Sequence, residues 1–219
     1  MNRPMRILIC AFGPFPGVAV NPSQQLASDL LRLRRPALTG VEIALEILPT
    51  RWDALARLDS RLKAFDPDAV LLLGVAARRR RVSIEMRAVN ATRAAPDAAR
   101  RHPPARHLAA EGPPLLRAFV PAGPLANALR RTGIPAAPSR DAGRYLCNAS
   151  YFHALAWAGR QSGRQRPVLF VHLPRHEGRP AGVSRARMGR GLSQIVLALA
   201  TRARRPSAAV RASAFKSME

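Results

Sequence analysis

The sequence predicts a three-layer α/β fold around a largely parallel sheet, and three observations carry that expectation. Apolar runs bounded by turn residues recur at Arg6–Phe12, Val41–Leu48, Ala69–Gly74 and Val168–Leu173. Segments with helical spacing of apolar residues lie between them. The chain has 219 residues, 47% of them hydrophobic, which suffices for one domain with a real core. The runs are continuous rather than alternating, as in strands covered on both faces. Strands alternating with helices argue for helical layers on the two sides of the sheet.

Each element has a local reason. Arg6–Phe12 is read as a first strand rather than a signal peptide, because Gly13-Pro14-Phe15 follows with no small-residue cleavage site. Asn21 can cap a helix whose first turn holds Pro22, with Leu26, Leu30 and Leu31 as its apolar stripe. Trp52–Phe65 repeats the pattern through Trp52, Leu55, Leu58 and Leu62. Further helices are expected around Gly123–Thr132, Asn148–Gly159 and Met188–Arg202. Ala91–Glu111 is rich in Ala, Arg, Pro and His without periodicity and reads as a long loop. Residues 1–200 are read as the domain, and 201–219 as a flexible Arg/Ala/Ser-rich tail.

Composition narrows the function. No apolar run approaches the roughly 18 residues needed to span a bilayer. Two cysteines, Cys10 and Cys147, make no disulfide framework, so a reducing cytoplasm is the expected setting. The formal charge of +23 raises nucleic acid as a partner. Yet all the basic residues except Lys63 and Lys216 are arginine, scattered among abundant Ala and Pro with few aromatics. That argues for coding bias and against nucleic acid as the main partner.

Three residues carry chemistry. Cys147 follows a glycine-containing approach and begins an apparent helix, where free backbone N–H groups and the dipole favour a thiolate and an oxyanion. A buried structural cysteine is its plain alternative, and Cys10, inside Ile7-Leu8-Ile9, illustrates it. His172 ends the apolar strand Val168–Val171, where the carboxyl ends of parallel strands face the crevice and a base can activate a thiol. Glu85 sits among apolar residues, where a carboxylate needs a partner. That partner is either an arginine such as Arg87 or the second nitrogen of His172.

Taken in order, these segments resemble the pyroglutamyl peptidase I (pyrrolidone-carboxylate peptidase) family of cysteine peptidases. Phe12-Gly13-Pro14-Phe15-Pro16-Gly17 with Asn21-Pro22-Ser23 is similar to its Gly-Phe-acid-Pro-Phe-Gly opening and following Asn-Pro-Ser. Gly74–Asn90 resembles its glycine-rich loop, arginine and catalytic-glutamate segment. Ala142–Asn148 resembles its Ala-Gly-x-x-x-Cys-Asn nucleophile motif, and Phe170–Pro174 its Phe-Ile-His-Val-Pro histidine motif. The likeness spans roughly residues 5–200.

The resemblance implies a single-domain α/β/α sandwich with a largely parallel (mixed) sheet, no metal or cofactor, and a homo-oligomer, often a tetramer. It implies hydrolysis of the amide after an N-terminal 5-oxoproline through Glu85, Cys147 and His172. Phe12 and Phe15 match the aromatic walls of the ring site, and Arg79 and Arg93 the family's arginines. Gly13, Pro16, Ala77 and Arg78 depart from the motifs, and Arg93 falls two positions early, in Arg93-Ala94-Ala95-Pro96-Asp97. Two competing readings remain: a hydrolase of the same fold for another blocking group, and an inactive homologue that binds an acidic partner.

Overall fold

Strands and helices alternate along the chain in the computed structural model, which describes residues 3–15, 17–32, 34–162, 165–174 and 183–205. The strands are β1 (Met5–Phe12), β2 (Val41–Leu48), β3 (Ala69–Ala76), β4 (Val82–Glu85), β5 (Arg87–Val89), β6 (Leu115–Arg117), β7 (Ala136–Ser139) and β8 (Val168–Pro174). The helices are α1 (Pro22–Leu31), α2 (Ala54–Phe65), α3 (Ala122–Arg131), α4 (Leu146–Gly159) and α5 (Arg185–Ala203). No helix among the described residues is long and apolar enough to cross a membrane.

The main sheet has the order β2-β1-β3-β8-β4-β7. β2, β1, β3 and β8 run parallel, and β4 lies antiparallel to β8 and parallel to β7. β5 and β6 form a separate antiparallel ribbon. Residues Leu26, Leu125, Leu129, Leu192 and Val196 pack one face of the sheet, placing α1, α3 and α5 there. Leu58, Leu62, Tyr151 and Phe152 pack the other, under α2 and α4. With helices on both faces, β1, β3 and β8 are apolar at nearly every position, as expected for covered parallel strands.

The local logic holds with a few shifts. Asn21 caps α1 by accepting the Ser23 N–H at 3.0 Å. Leu31 points outward at 39% exposure, because it lies five residues beyond Leu26 and off the buried stripe. Trp52 precedes α2, held in a turn closed by the Ala54 N–H on the Arg51 carbonyl at 3.1 Å. α2 ends on Asp66 in the left-handed conformation at φ 47°. α5 starts earlier than its periodicity suggests, because Ser184 caps it by accepting the Arg187 N–H. Ala203 at its other end is buried, so the packed unit runs past the boundary expected at residue 200. The rest of the expected tail, 206–219, lies outside the described residues.

β4 and β7 were not foreseen. β4 is four residues long and follows an arginine run. β7 is Ala-Ala-Pro-Ser, a composition tolerated in a strand because it lies at the sheet edge. Their direction makes the sheet mixed.

Candidate active site

The carboxyl ends of β1, β3 and β8 meet at one end of the sheet, bringing Phe12, Gly74 and His172 together. Gly74 pairs in register with His172 across β3 and β8. On the other side of β8 the antiparallel register sets Ser83 opposite His172 and Glu85 opposite Phe170. Glu85 is therefore a diagonal neighbour of His172 on the same face, within reach of its side chain.

The contact is made. The His172 Nδ1 donates to Glu85 Oε1 at 2.7 Å, and Glu85 has no exposed surface. Tyr151 from α4 donates its hydroxyl to the Glu85 carbonyl at 2.9 Å, anchoring the end of β4. Phe170 packs beside the imidazole at a ring separation of 4.7 Å. Cys147, the second residue of α4, lies beside the His172 ring and acts on its charge through its side chain. With Nδ1 engaged by Glu85, the other ring nitrogen is the one left for the thiol.

The surroundings set the imidazole's charge. Burial pulls the His172 pKa down, but hydrogen bonds and charge from Cys147 and Glu85 outweigh it and raise it from 6.5 to about 9. Cys10 lies buried in the core. Burial, reinforced by Glu46 and only partly opposed by Arg61, pushes its thiol far up, as befits an inert structural cysteine.

The start of α4 supplies donors. Tyr145 caps it without a side-chain bond, and the first amide bonded back is Ala149, to the Tyr145 carbonyl at 2.9 Å. The amides of the preceding turn face the region of Cys147, as at any helix start. Gly74 makes room for the sulfur. A Cβ there would lie 3.0 Å from Cys147 Sγ and 2.7 Å from Phe170 Cζ.

Cys147 opens onto a cavity of about 130 Å³ lined by Phe12, Phe15, Asn21, Thr50, Val75, Tyr145, Leu146 and Cys147. The cavity suits a small ring rather than a long side chain. The two phenylalanines named from the sequence are in its wall. Pro16, from the same turn, lies outside the described residues.

Arg79 and Arg93 are not in that lining. The Arg79 Nη1 donates to Glu85 Oε1 at 2.5 Å, behind the histidine, and its Nη2 donates to the Asp141 carbonyl. Arg93 is exposed and is tied by its backbone N–H to the Arg144 carbonyl at 2.7 Å, next to Tyr145.

Sequence reasoning missed the scaffold around the pocket. Asn148 grips Val89 through both its N–H and its carbonyl at 2.8 Å, joining α4 to β5. Residues 91–111 are irregular as expected, yet tightly built. Asp97 accepts from the backbone of Trp52, Ala99 and Arg101 at 2.8–2.9 Å. Asn90 holds Leu108, Ala109 and Gly112. The Tyr145 hydroxyl donates to the Pro96 carbonyl at 2.9 Å, and its ring meets Trp52 edge-on at 5.3 Å. The only sequence signal for this was an acid and an amide in a segment without periodicity.

Comparison with known proteins places the chain in a family. Residues 5–187 match the family model described as pyroglutamyl peptidase. A pyrrolidone-carboxylate peptidase of Gloeobacter violaceus is 35% identical over 174 residues, 78% of this chain and 82% of that protein. Pyrrolidone-carboxylate peptidase 1 of Caldanaerobacter subterraneus is 31% identical over 172 residues, 78% of this chain and 82% of the relative. Among solved structures, pyroglutamyl peptidase I of Bacillus amyloliquefaciens aligns with a TM-score of 0.78 at 25% identity, covering 92% of this chain and 98% of that one. A mutant pyrrolidone carboxyl peptidase of Pyrococcus furiosus aligns with a TM-score of 0.79 at 26% identity, covering 89% and 98%.

Proposed function

The chain belongs to the pyroglutamyl peptidase family of cysteine peptidases, and from that membership we propose that it hydrolyses the amide after an N-terminal pyroglutamyl residue with Cys147, His172 and Glu85. The observation that carries the assignment of residues is the buried Glu85–His172 bond of 2.7 Å, with Cys147 on the same imidazole and at the cavity wall.

The steps follow from these groups. With the proton on His172, the Cys147 sulfur attacks the scissile carbonyl carbon, and the amides at the start of α4 are positioned to bind the oxyanion. As the C–N bond breaks, His172 passes its proton to the leaving amine, leaving a thioester and a neutral imidazole. His172 then takes a proton from water, the hydroxide adds to the thioester, and the C–S bond breaks. Pyroglutamic acid leaves, and the sulfur anion and imidazolium are restored. Glu85 holds the imidazole in the productive orientation throughout. Phe12 and Phe15 offer apolar walls for the lactam ring, and nearby amides its hydrogen bonds.

The family resemblance further implies a homo-oligomer, a tetramer. The free thiols Cys10 and Cys147 fit a cytoplasmic setting. The test is release of a chromogenic amine from a pyroglutamyl amide. Turnover that Cys147→Ser abolishes supports the reading. No turnover, with Cys147 still alkylated rapidly at neutral pH, would point to another blocking group. No turnover with slow alkylation would point to a binding protein.

A further inference from the structure

Arg79 reaches the Glu85 oxygen that also serves His172. Its Nη1 donates to Glu85 Oε1 at 2.5 Å, while the His172 Nδ1 donates to the same atom at 2.7 Å. The second arm of the fork bonds the Asp141 carbonyl, and Nη1 also approaches Ser139 Oγ at 3.4 Å. The turn it grips leads into the nucleophile helix, with the Gly143 N–H on Asp141 Oδ1 at 2.9 Å. Glu85 Oε2 has no partner among the described residues, so Oε1 carries the whole of its pairing. We propose that Arg79 is a positioning residue of the reaction, holding the Glu85 carboxylate in place and balancing its charge while His172 is neutral.

Charge in the buried site gives the reason, on the Cys147–His172–Glu85 reading above. When the sulfur carries the negative charge and His172 the proton, those two charges cancel, and the charge of Glu85 is left for Arg79 to balance. After acylation the sulfur is bonded to carbon and the imidazole has given up its proton. Among the described residues, Glu85, with no exposed surface, then faces one charged group, Arg79. A buried carboxylate without a counter-charge draws a proton to itself or its neighbour. Without Arg79, His172 would resist becoming neutral, and neutral His172 is what the water step requires. The groups that face the pair are Cys147 and Tyr151 from α4, Arg79 from the β3–β4 turn, and Ser139 with the Asp141 carbonyl beyond β7. Among them Arg79 is the one permanent cation.

Arg79→Ala and Arg79→Lys are to be compared with the unaltered enzyme on a pyroglutamyl amide across pH. Arg79→Ala should lower kcat by about 10–100-fold while KM changes by less than about threefold, a loss expected for impaired acid–base chemistry. The pH at which kcat rises should move upward, a burst of amine should precede slow turnover, and added guanidinium should restore part of the rate. Arg79→Lys keeps the charge and loses the fork, so its pH profile should stay in place with a smaller loss. A raised KM at unchanged kcat would overturn the proposal in favour of a substrate contact. An unshifted profile without rescue, in a folded Arg79→Ala, would overturn it in favour of a purely structural role. Should Arg79→Ala not fold, an upward-shifted profile in Arg79→Lys overturns it and an unmoved one supports it. Absence of turnover in the unaltered protein is a failure of the triad reading and is separable from all of these.

Discussion

Gly74→Ala is the sharpest test of how the site is built. The added methyl would sit 2.7 Å from Phe170 Cζ and 3.0 Å from Cys147 Sγ. Comfortable carbon contacts begin near 3.5 Å, so the ring must retreat by about 0.8 Å and the sulfur by about 0.5 Å. The ring has no free space. Phe170 is fully buried, with Tyr151 at 5.6 Å on one side and His172 at 4.7 Å on the other. Any shift of the ring is therefore passed to the imidazole. Overpacking of this kind costs about 1–3 kcal/mol, which in a chain of this size lowers Tm by about 2–12 °C. A displacement approaching 1 Å at reacting groups costs up to about 100-fold in rate. The assay is kcat/KM on a pyroglutamyl amide, with a thermal melt and the rate of Cys147 alkylation on the same sample. Loss of at least tenfold in kcat/KM, with slowed alkylation, is expected. Activity and Tm equal to those of the unaltered protein would refute the argument that the glycine is demanded by contact between β3, β8 and α4.

Two other perturbations read the site's electrostatics and its scaffold. His172 is raised from 6.5 to about 9 by Cys147 and Glu85 against burial. Its protonation therefore stabilises the fold fully below about pH 6.5, and that contribution is lost as pH rises through about 9. Activity of the imidazolium form should fall over the same upper range. Glu85→Gln, which removes the charge, should move that alkaline limb to lower pH in a kcat/KM profile; an unmoved limb would contradict the role given to Glu85. Asp97 is held below the usual carboxylate range: burial opposes this, but the Trp52, Arg101 and Ala99 amides outweigh it. Its contribution is present above about pH 3.8 and is lost as pH falls through its lowered pKa. Asp97→Ala leaves the buried Trp52 amide unpaired and should cost about 1–3 kcal/mol by denaturant unfolding. It should also raise KM, because Trp52 and Pro96 support Tyr145. An unchanged KM would detach the loop from the pocket.

Much of the fold was legible because it depends on short-range pattern. The buried strands declare themselves as aliphatic runs, and α1 by its Asn21 cap and Pro22. β4 and β7 were illegible for the same reason in reverse. Four residues after an arginine run, or Ala-Ala-Pro-Ser, carry too little local preference, and only the edge offered by β8 makes them strands. α4 shows a third case: it is apolar on almost every side because the sheet, α2 and the β5–β6 ribbon all pack against it, so its periodicity is erased.

Sequence by itself determined the reactive types and their order: an acid, a cysteine at a helix start and a histidine at a strand end. The family resemblance, not the pattern itself, matched Phe12 and Phe15 to the ring site. Tertiary structure alone decided who meets whom. Register across β8 brings Glu85 to His172, and a glycine on β3 clears the sulfur. Arg79, expected from resemblance to touch substrate, turns to Glu85, and the irregular segment 91–111 is pinned by Asp97 and Asn90. The physical reason is common to all four. Partners tens of residues apart are chosen by packing and by the need to pair buried polar groups, and neither leaves a periodic trace along the chain.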